Sequence, residues 1–411
     1  MSLTKEYLKK LHPSSTLLIN ETSKEMEHNG KAIYKFGFGQ SPFPVPDKLV
    51  EKLKENAHQK DYLPAKGLLK LRQAISKNLI KKKYKNFTEN NIVIGPGSKE
   101  LMFLLQICFD GDLILPAPSW VSYEPQSIIA KNNVHWIQTS ADSNWHVTAK
   151  QIEEVAKKIK SQNKLIILNS PNNPSGTNAK NLKELAEVFE KHNFTVLSDE
   201  IYSDLHFGDE FHSIAHFYPK TIISNGLSKW AGAGGWRLGY FAIPDSLKEI
   251  NDKISVLATE TFSAVSAPIQ FAAVEAYEGD HSEYVNKSIK ILKVIADAVY
   301  KKFNTNNIQA NKPEGGFYIM PDFTNLLSHK FKSSKEFCKL LLEETGVAVL
   351  PGTDFGFPEE KLLFRFSFVD FDGAKFLKVE DKEISEDNLK NYAPKILEGV
   401  EKILDFTKKH S

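Results

Sequence analysis

The sequence predicts an α/β protein: a mostly parallel sheet of seven strands covered by helices, followed by a smaller α+β domain. Three observations lead there. Between positions 90 and 245, seven short apolar runs alternate with stretches of helical periodicity. One connection in that series is too rich in glycine for a crossover helix. After position 285 the alternation gives way to a long helical stripe and short mixed segments.

The seven runs are 91–94, 112–115, 134–139, 165–169, 194–198, 221–224 and 240–243. Before the fourth, Ile152, Val155 and Ile159 fall on one stripe of a helix. After it, Leu182, Leu185, Ala186 and Phe189 recur at i, i+3, i+4 and i+7, again one helical face. Between Ser224 and Tyr240 lie Gly226, Gly232, Gly234 and Gly235, so the last run is expected to pair antiparallel through a loop.

Beyond 285, Ile289, Leu292, Ile295 and Val299 mark a long helix, and Pro313-Glu314-Gly315-Gly316 a turn into Phe317-Tyr318-Ile319. A helix over 334–345, extended segments 347–350 and 362–369, and one final helix carrying Leu389, Ile396, Val400 and Ile403 complete the chain. The expected division is an arm packed with the small domain over 1–44, a large domain over 45–285 and the small domain over 286–411.

Composition narrows the function. The 411 residues are 41% hydrophobic and 25% charged, and 53 basic against 51 acidic residues leave a net charge of +2. So even a balance gives no footprint for nucleic acid or a membrane surface. The stretch 1–13 is polar, and no uncharged apolar run approaches the roughly 20 residues that span a bilayer. Cys108 and Cys338 are expected as free thiols, Cys108 within an apolar run. The expectation is a soluble protein of the reducing cytoplasm.

In open α/β sheets, ligands bind beyond the carboxyl ends of the strands. Just past those ends come Gly97-Ser98-Lys99, Trp120, Asn173, Asp199 with Tyr202, and Ser228-Lys229 with Arg237 eight residues later. That set matches the needs of a pyridoxal cofactor. A lysine amine holds its aldehyde as a Schiff base exchangeable for a substrate amine, the part of Lys229. A carboxylate keeps the ring nitrogen protonated and the ring an electron sink, the part of Asp199. Asn173 and Tyr202 suit the ring oxygen, and Trp120 the ring face. Gly97, Ser98 and Lys99 at a helix N-terminus, together with Arg237, suit the phosphate.

From Gly37 to Phe368 the sequence resembles the class I and II aminotransferases of PLP fold type I, the aspartate aminotransferase-like proteins. The segments that carry the resemblance run in order. They are Tyr62 with Gly67 and Leu71-Arg72; Gly97-Ser98-Lys99; Pro118-Ser119-Trp120; Asn172-Asn173-Pro174-Ser175-Gly176; Asp199-Glu200-Ile201-Tyr202; Ser228-Lys229 through Gly235-Trp236-Arg237; Gly316-Phe317-Tyr318; and Arg365-Phe366-Ser367-Phe368. The resemblance implies a transfer of the α-amino group from an L-amino acid to a 2-oxo acid. It implies that Arg365 grips the substrate α-carboxylate as a bidentate guanidinium and that Gly39 lies against the same group. It implies that Tyr62 reaches the cofactor phosphate of a neighbouring subunit in a homodimer, and that Lys229 shuttles the α-proton.

The chain departs from the family pattern in places. It reads Gly39-Gln40-Ser41-Pro42-Phe43 where a carboxylate is common at the second position. Gly226 stands where aspartate aminotransferases place a serine, so one phosphate contact is either missing or supplied by Ser228. For the substrate side chain, Lys66 offers a second cation, whereas Phe36, Phe38 and Trp120 offer an apolar lining.

Other motifs carry less. Gly95-Pro96-Gly97-Ser98-Lys99 lacks P-loop spacing, and Gly232-Ala233-Gly234 precedes a strand, unlike a dinucleotide fingerprint. His206, His212 and His216 near Asp209 and Glu210 read as a solvated loop cluster, so no metal is expected. Two other functions compete: a β-lyase of the C–S lyase type on the same fold, and a non-catalytic PLP-binding regulator. The regulator needs a DNA-binding module, for which the roughly 35 residues before Gly37 are too few.

Overall fold

The computed structural model describes residues 3–11, 13, 15–85 and 87–411, so parts of the N-terminal stretch 1–13 lie outside the described residues. In chain order the strands are β1 (Tyr34–Lys35), β2 (Ile92–Gly95), β3 (Asp112–Ala117), β4 (Val134–Gln138), β5 (Lys164–Asn169), β6 (Phe194–Asp199), β7 (Thr221–Gly226) and β8 (Gly239–Ala242). There follow β9 (Tyr318–Ile319), β10 (Val347–Ala348), β11 (Leu350–Pro351) and β12 (Phe364–Ser367).

Strands β2 to β8 form one sheet in the order β2-β8-β7-β6-β5-β3-β4. The pairs from β7 through β4 are parallel, and β8 runs antiparallel to both neighbours, as its glycine-rich lead predicts. Each predicted run became a strand, with ends shifted by a residue or two.

Both sheet faces are buried, and the period-two alternation of strand side chains divides them. Leu113, Leu115, Leu165 and Ile167 pack under the helices Ser98–Cys108 and Lys248–Glu260. Ile114 and Ile166 face the opposite way, against the helices Ala149–Lys158 and Leu182–Lys191. Those last two helices carry the stripes read from the sequence: Ile152 in one, and Leu185 and Phe189 in the other, are fully buried.

Register fixes what stands at the sheet's end. Asn169 of β5 pairs with Asp199 of β6, and Asp199 with Ser224 of β7, so β5 and β6 end in one row and β7 runs two residues further. The loops that follow them therefore open on the same edge.

The C-terminal part follows the 24-residue helix Ser282–Thr305. Strands β11, β12 and β9 make a small antiparallel sheet. The N-terminal segment is stitched to this region, since β1 pairs parallel with β10 and the Phe36 amide donates to the Ala348 carbonyl at 2.9 Å. Phe317, Phe323, Phe337, Phe364 and Phe366 fill the core there.

Two expectations were too simple. The segment 347–350 splits into strands of two different sheets. The single final helix is two, Leu389–Tyr392 and Pro394–His410, separated by Ala393 at φ −137°. Pro394 is the reason, because the ring of a proline crowds the preceding residue out of the helical region.

Gly226 has no room for a side chain: a Cβ there would stand 2.7 Å from the Leu238 carbonyl oxygen and 2.8 Å from Gly239 Cα. Both obstacles are backbone, so Gly226→Ala should destabilise the fold by about 1–3 kcal/mol. Urea unfolding of the two proteins checks this, and equal midpoints would show that β7 and β8 can part at no cost.

Candidate active site

A crevice of about 420 Å³ opens at that row of strand ends. Eleven of the thirteen residues assigned from the sequence to the cofactor or the substrate carboxylate line it: Gly39, Gly97, Ser98, Lys99, Trp120, Asn173, Asp199, Tyr202, Ser228, Lys229 and Arg237. Tyr62 and Arg365 do not. Tyr62 projects into solvent, 95% exposed.

One end of the crevice is cationic. Gly97 turns the chain at φ 86° into the helix Ser98–Cys108, whose first amides are free of intrahelical acceptors. A Cβ on Gly97 would lie 2.4 Å from Arg237 Nη2. Arg237 itself is held in a left-handed conformation, its guanidinium donating to the carbonyls of Gly234 at 3.0 Å and Pro96 at 3.3 Å. Lys99 adds a second charge, with its amine 5.1 Å from the Trp120 ring centre. Desolvation and the nearby Arg237 both lower its pKa. A helix N-terminus flanked by two cations is a site for an anion such as a phosphate.

The middle holds a carboxylate and an amine. Asp199 is 4% exposed, its Oδ2 accepting from the Tyr123 hydroxyl at 2.6 Å. Burial pushes its carboxyl up to about 6, while the Tyr123 hydrogen bond and the Lys229 charge pull it back. Lys229 Nζ donates to the Gly39 carbonyl at 2.7 Å. Burial, then the positive charge of Arg365, brings its amine down to about 7, against the pull of Asp199. The two groups are thus displaced toward each other and toward neutrality, as in sites built for proton transfer. Neighbouring Glu200 does not line the crevice, and takes hydroxyl hydrogen bonds from Tyr84, Ser198 and Ser213.

The far wall joins strand-end loops to the C-terminal region. Arg365, on β12, is 2% exposed and donates through Nη1 to Asn173 Oδ1 at 3.0 Å and through Nη2 to the Gly37 carbonyl at 2.6 Å. Its Nε is buried without a partner among the described residues. A buried orphan donor on a guanidinium is a place for an acceptor such as a carboxylate oxygen. The Tyr202 hydroxyl lies 2.8 Å from that of Tyr318, and Asn173 Nδ2 is 3.4 Å from Tyr202 and 3.5 Å from Tyr318.

Sequence reasoning missed Tyr123 and Tyr318 as site residues. A buried phenol seeks a polar partner, but neither position announces its burial in the sequence. Two offered residues do not reach the crevice. Phe36 is fully buried against Phe366, ring centres 4.2 Å apart, and Lys66 donates to the Asn90 carbonyl at 3.1 Å. Phe38 lines the crevice instead, because the chain bends at Gly37 once β1 has ended. Among the described residues, no three His, Cys, Asp or Glu are placed to hold a metal ion.

Comparison with known proteins gives a consistent picture. The sequence model of the family described as aminotransferase class I and II matches residues 31–373. The chain is 33% identical to an aspartate aminotransferase of Bacillus sp. strain YM-2, covering 85% of this chain and 91% of that protein. It is 32% identical to a probable aspartate/prephenate aminotransferase of Aquifex aeolicus, covering 85% and 90%. Among solved structures, an aspartate aminotransferase from Thermotoga maritima superposes with a TM-score of 0.82 at 25% identity, covering 98% of this chain and all of that one. One from Rhizobium meliloti gives a TM-score of 0.86 at 24% identity over the full length of both.

A lysine amine brought down to about 7 reacts at a pH where ordinary lysines are almost wholly protonated. Brief treatment of the cofactor-free protein with trinitrobenzenesulfonate should therefore label Lys229 first, with a half-maximal rate near pH 7 by peptide mass mapping. Labelling of Lys229 that keeps rising toward pH 10 would contradict the assigned environment.

Proposed function

The chain belongs to the class I and II aminotransferases, and we propose on that footing that it is a pyridoxal phosphate enzyme moving the amino group of a dicarboxylic amino acid to a 2-oxo acid through Lys229. The observation that carries this reading is the shared burial of Asp199 and Lys229 in a crevice whose one end is an anion cradle.

The donor set suits the cofactor. The amides at Gly97 and Ser98, the Ser228 hydroxyl and Arg237 would hold the phosphate. Asp199, kept in place by Tyr123, would hold the ring nitrogen, while Tyr202 and Asn173 would donate to the ring oxygen and Trp120 cover a face. When bound, pyridoxal phosphate supplies an aldehyde that exchanges between amines and a protonated ring that withdraws electrons from the substrate α-carbon.

This chain's own residues then do the rest. Lys229, lowered toward neutrality, can take the proton from the α-carbon and return it on the cofactor side. Arg365 offers its planar fork to the α-carboxylate and holds the α-carbon still. Burial of Asp199 keeps water from screening its charge against the ring nitrogen.

A dicarboxylic donor is supported by the names of the relatives and by charge. Lys99, Lys229 and Arg237 line a crevice whose one lining carboxylate is Asp199, and Arg365 is held against the wall residue Asn173. With Arg237 on the phosphate and Arg365 on the α-carboxylate, Lys99, which stands at the phosphate end, is also the crevice cation that a second carboxylate would meet.

Residues 45–285 would form the cofactor-holding domain, and 286–411 with the arm 1–44 the part that closes on the substrate. Full exposure of Tyr62 supports a homodimer in which it reaches the partner's phosphate site. Two free thiols, Cys108 and Cys338, and the lack of any described helix long and apolar enough to cross a membrane support a cytoplasmic place.

Purified enzyme with L-aspartate and 2-oxoglutarate should yield glutamate, followed by a coupled glutamate assay. With L-cysteine as the only substrate, release of ammonia, pyruvate and sulfide would instead assign it to elimination. Lys229→Ala should lower turnover at least about 10³-fold without changing the fold seen by circular dichroism. Arg365→Lys keeps the charge but loses the fork, and should raise KM for aspartate about 10- to 100-fold. An unchanged KM would remove Arg365 from carboxylate binding.

A further inference from the structure

Tyr318 stands where the two halves of the site meet, and no part of the mechanism above uses it. It lies on β9, paired with Ser367 of β12, and is 1% exposed. Its hydroxyl touches Tyr202, Asn173 and the Gly39 backbone, where a Cβ would come within 2.0 Å of it. Its ring centre is 4.8 Å from the Arg365 guanidinium carbon.

The direction of the hydrogen bonds here follows from donor count. A guanidinium has donors and no acceptor, so the Asn173 amide oxygen must be the atom facing Arg365 Nη1. The Asn173 NH₂ group is then the one turned to the two phenol oxygens, at 3.4 and 3.5 Å. In the proposed function one of the two Asn173 hydrogens goes to the cofactor ring oxygen, so one remains for the phenols; it serves Tyr318, and each phenol keeps its own proton to give. Tyr202 has one proton, and in the proposed function it goes to the ring oxygen of the cofactor. The 2.8 Å contact between the phenols can then be made one way: Tyr318 donates to Tyr202.

We infer that Tyr318 is a positioning residue, the link in a one-way hydrogen-bond chain that runs from Arg365 through Asn173 and Tyr318 to Tyr202 and commits the Tyr202 proton to the cofactor ring oxygen. The chain connects the group that grips the substrate carboxylate with the group that sets charge on the cofactor. Hydrogen bonds in series polarise one another, so donation by Tyr318 strengthens donation by Tyr202. The inference rests on the reading of Tyr202 and Lys229 given above.

The test is a pH titration of the visible absorbance of the holoenzyme reconstituted with pyridoxal phosphate, without substrate. Donation to the ring oxygen stabilises its deprotonated form, so weaker donation raises the midpoint. Tyr318→Phe keeps the ring and removes the hydroxyl, and should raise the midpoint by about 0.5–1 pH unit. In a Tyr202→Phe background the same change should leave the midpoint where Tyr202→Phe alone puts it, because the effect passes through Tyr202.

A Tyr318→Phe midpoint that is unmoved overturns the inference. So does a lowered one, which would make Tyr318 a competing acceptor for the Tyr202 proton. An equal shift with and without Tyr202 overturns it too, since a merely structural effect would not depend on that hydroxyl. Wild-type protein that takes up no cofactor and shows no titrating band overturns the cofactor reading itself, and the inference with it.

Discussion

A carboxylate held out of water at the end of a parallel strand is the constraint around which the rest of this molecule is arranged. Asp199 is the last residue of β6, flanked in register by Asn169 and Ser224. An ion so placed costs several kcal/mol unless its lone pairs are met. The Tyr123 hydroxyl and the Ile201 amide meet them in part, and the Asn169 side chain ties down the Asp199 carbonyl. What remains is a carboxyl raised to about 6 beside an amine lowered to about 7. A protonated heterocyclic nitrogen against Asp199 would bring that carboxyl back down, so the site is incomplete in a way that a cationic ring completes.

The sheet provides one half of the site and the C-terminal region the other. Loops after β2, β3, β5, β6 and β7 contribute the anion cradle, Trp120, Asn173, Tyr202 and Lys229. Arg365 and Tyr318 come from β12 and β9, and Gly39 from the segment that leaves β1. Pairing of β1 with β10 fixes that segment to the C-terminal region, next to the strands that carry Arg365 and Tyr318. Four contacts cross between the halves at the crevice: Arg365 to Asn173, Tyr318 to Tyr202 and to Asn173, and Lys229 to Gly39.

Much of this was legible in the sequence, for a physical reason. Strand ends in an open sheet carry their ligands locally, so Asn173, Asp199, Lys229 and Arg237 could be read from short stretches just past apolar runs. The antiparallel β8 was legible as well, because four glycines forbid the crossover helix that a parallel partner needs. Tyr123 was not legible, and Tyr318 stood in the Gly316-Phe317-Tyr318 segment without a role: each matters because of what lies across from it in space, and no local pattern encodes an opposing side chain. Phe36 and Phe38 show the same limit on a smaller scale. They look equivalent in the sequence, yet a bend at Gly37 sends one into the core and the other to the crevice. The break at Ala393 was legible in Pro394, but the helical stripe on either side masked it.

The central claim is that Lys229 is the one lysine that binds the cofactor's aldehyde. Reduction of the holoenzyme with sodium borohydride, followed by digestion and peptide mass spectrometry, tests it most directly. The account predicts a phosphopyridoxyl mass increment on Lys229 and on no other lysine. An increment on a different lysine, Lys99 included, or none at all in protein that holds pyridoxal phosphate, would contradict it.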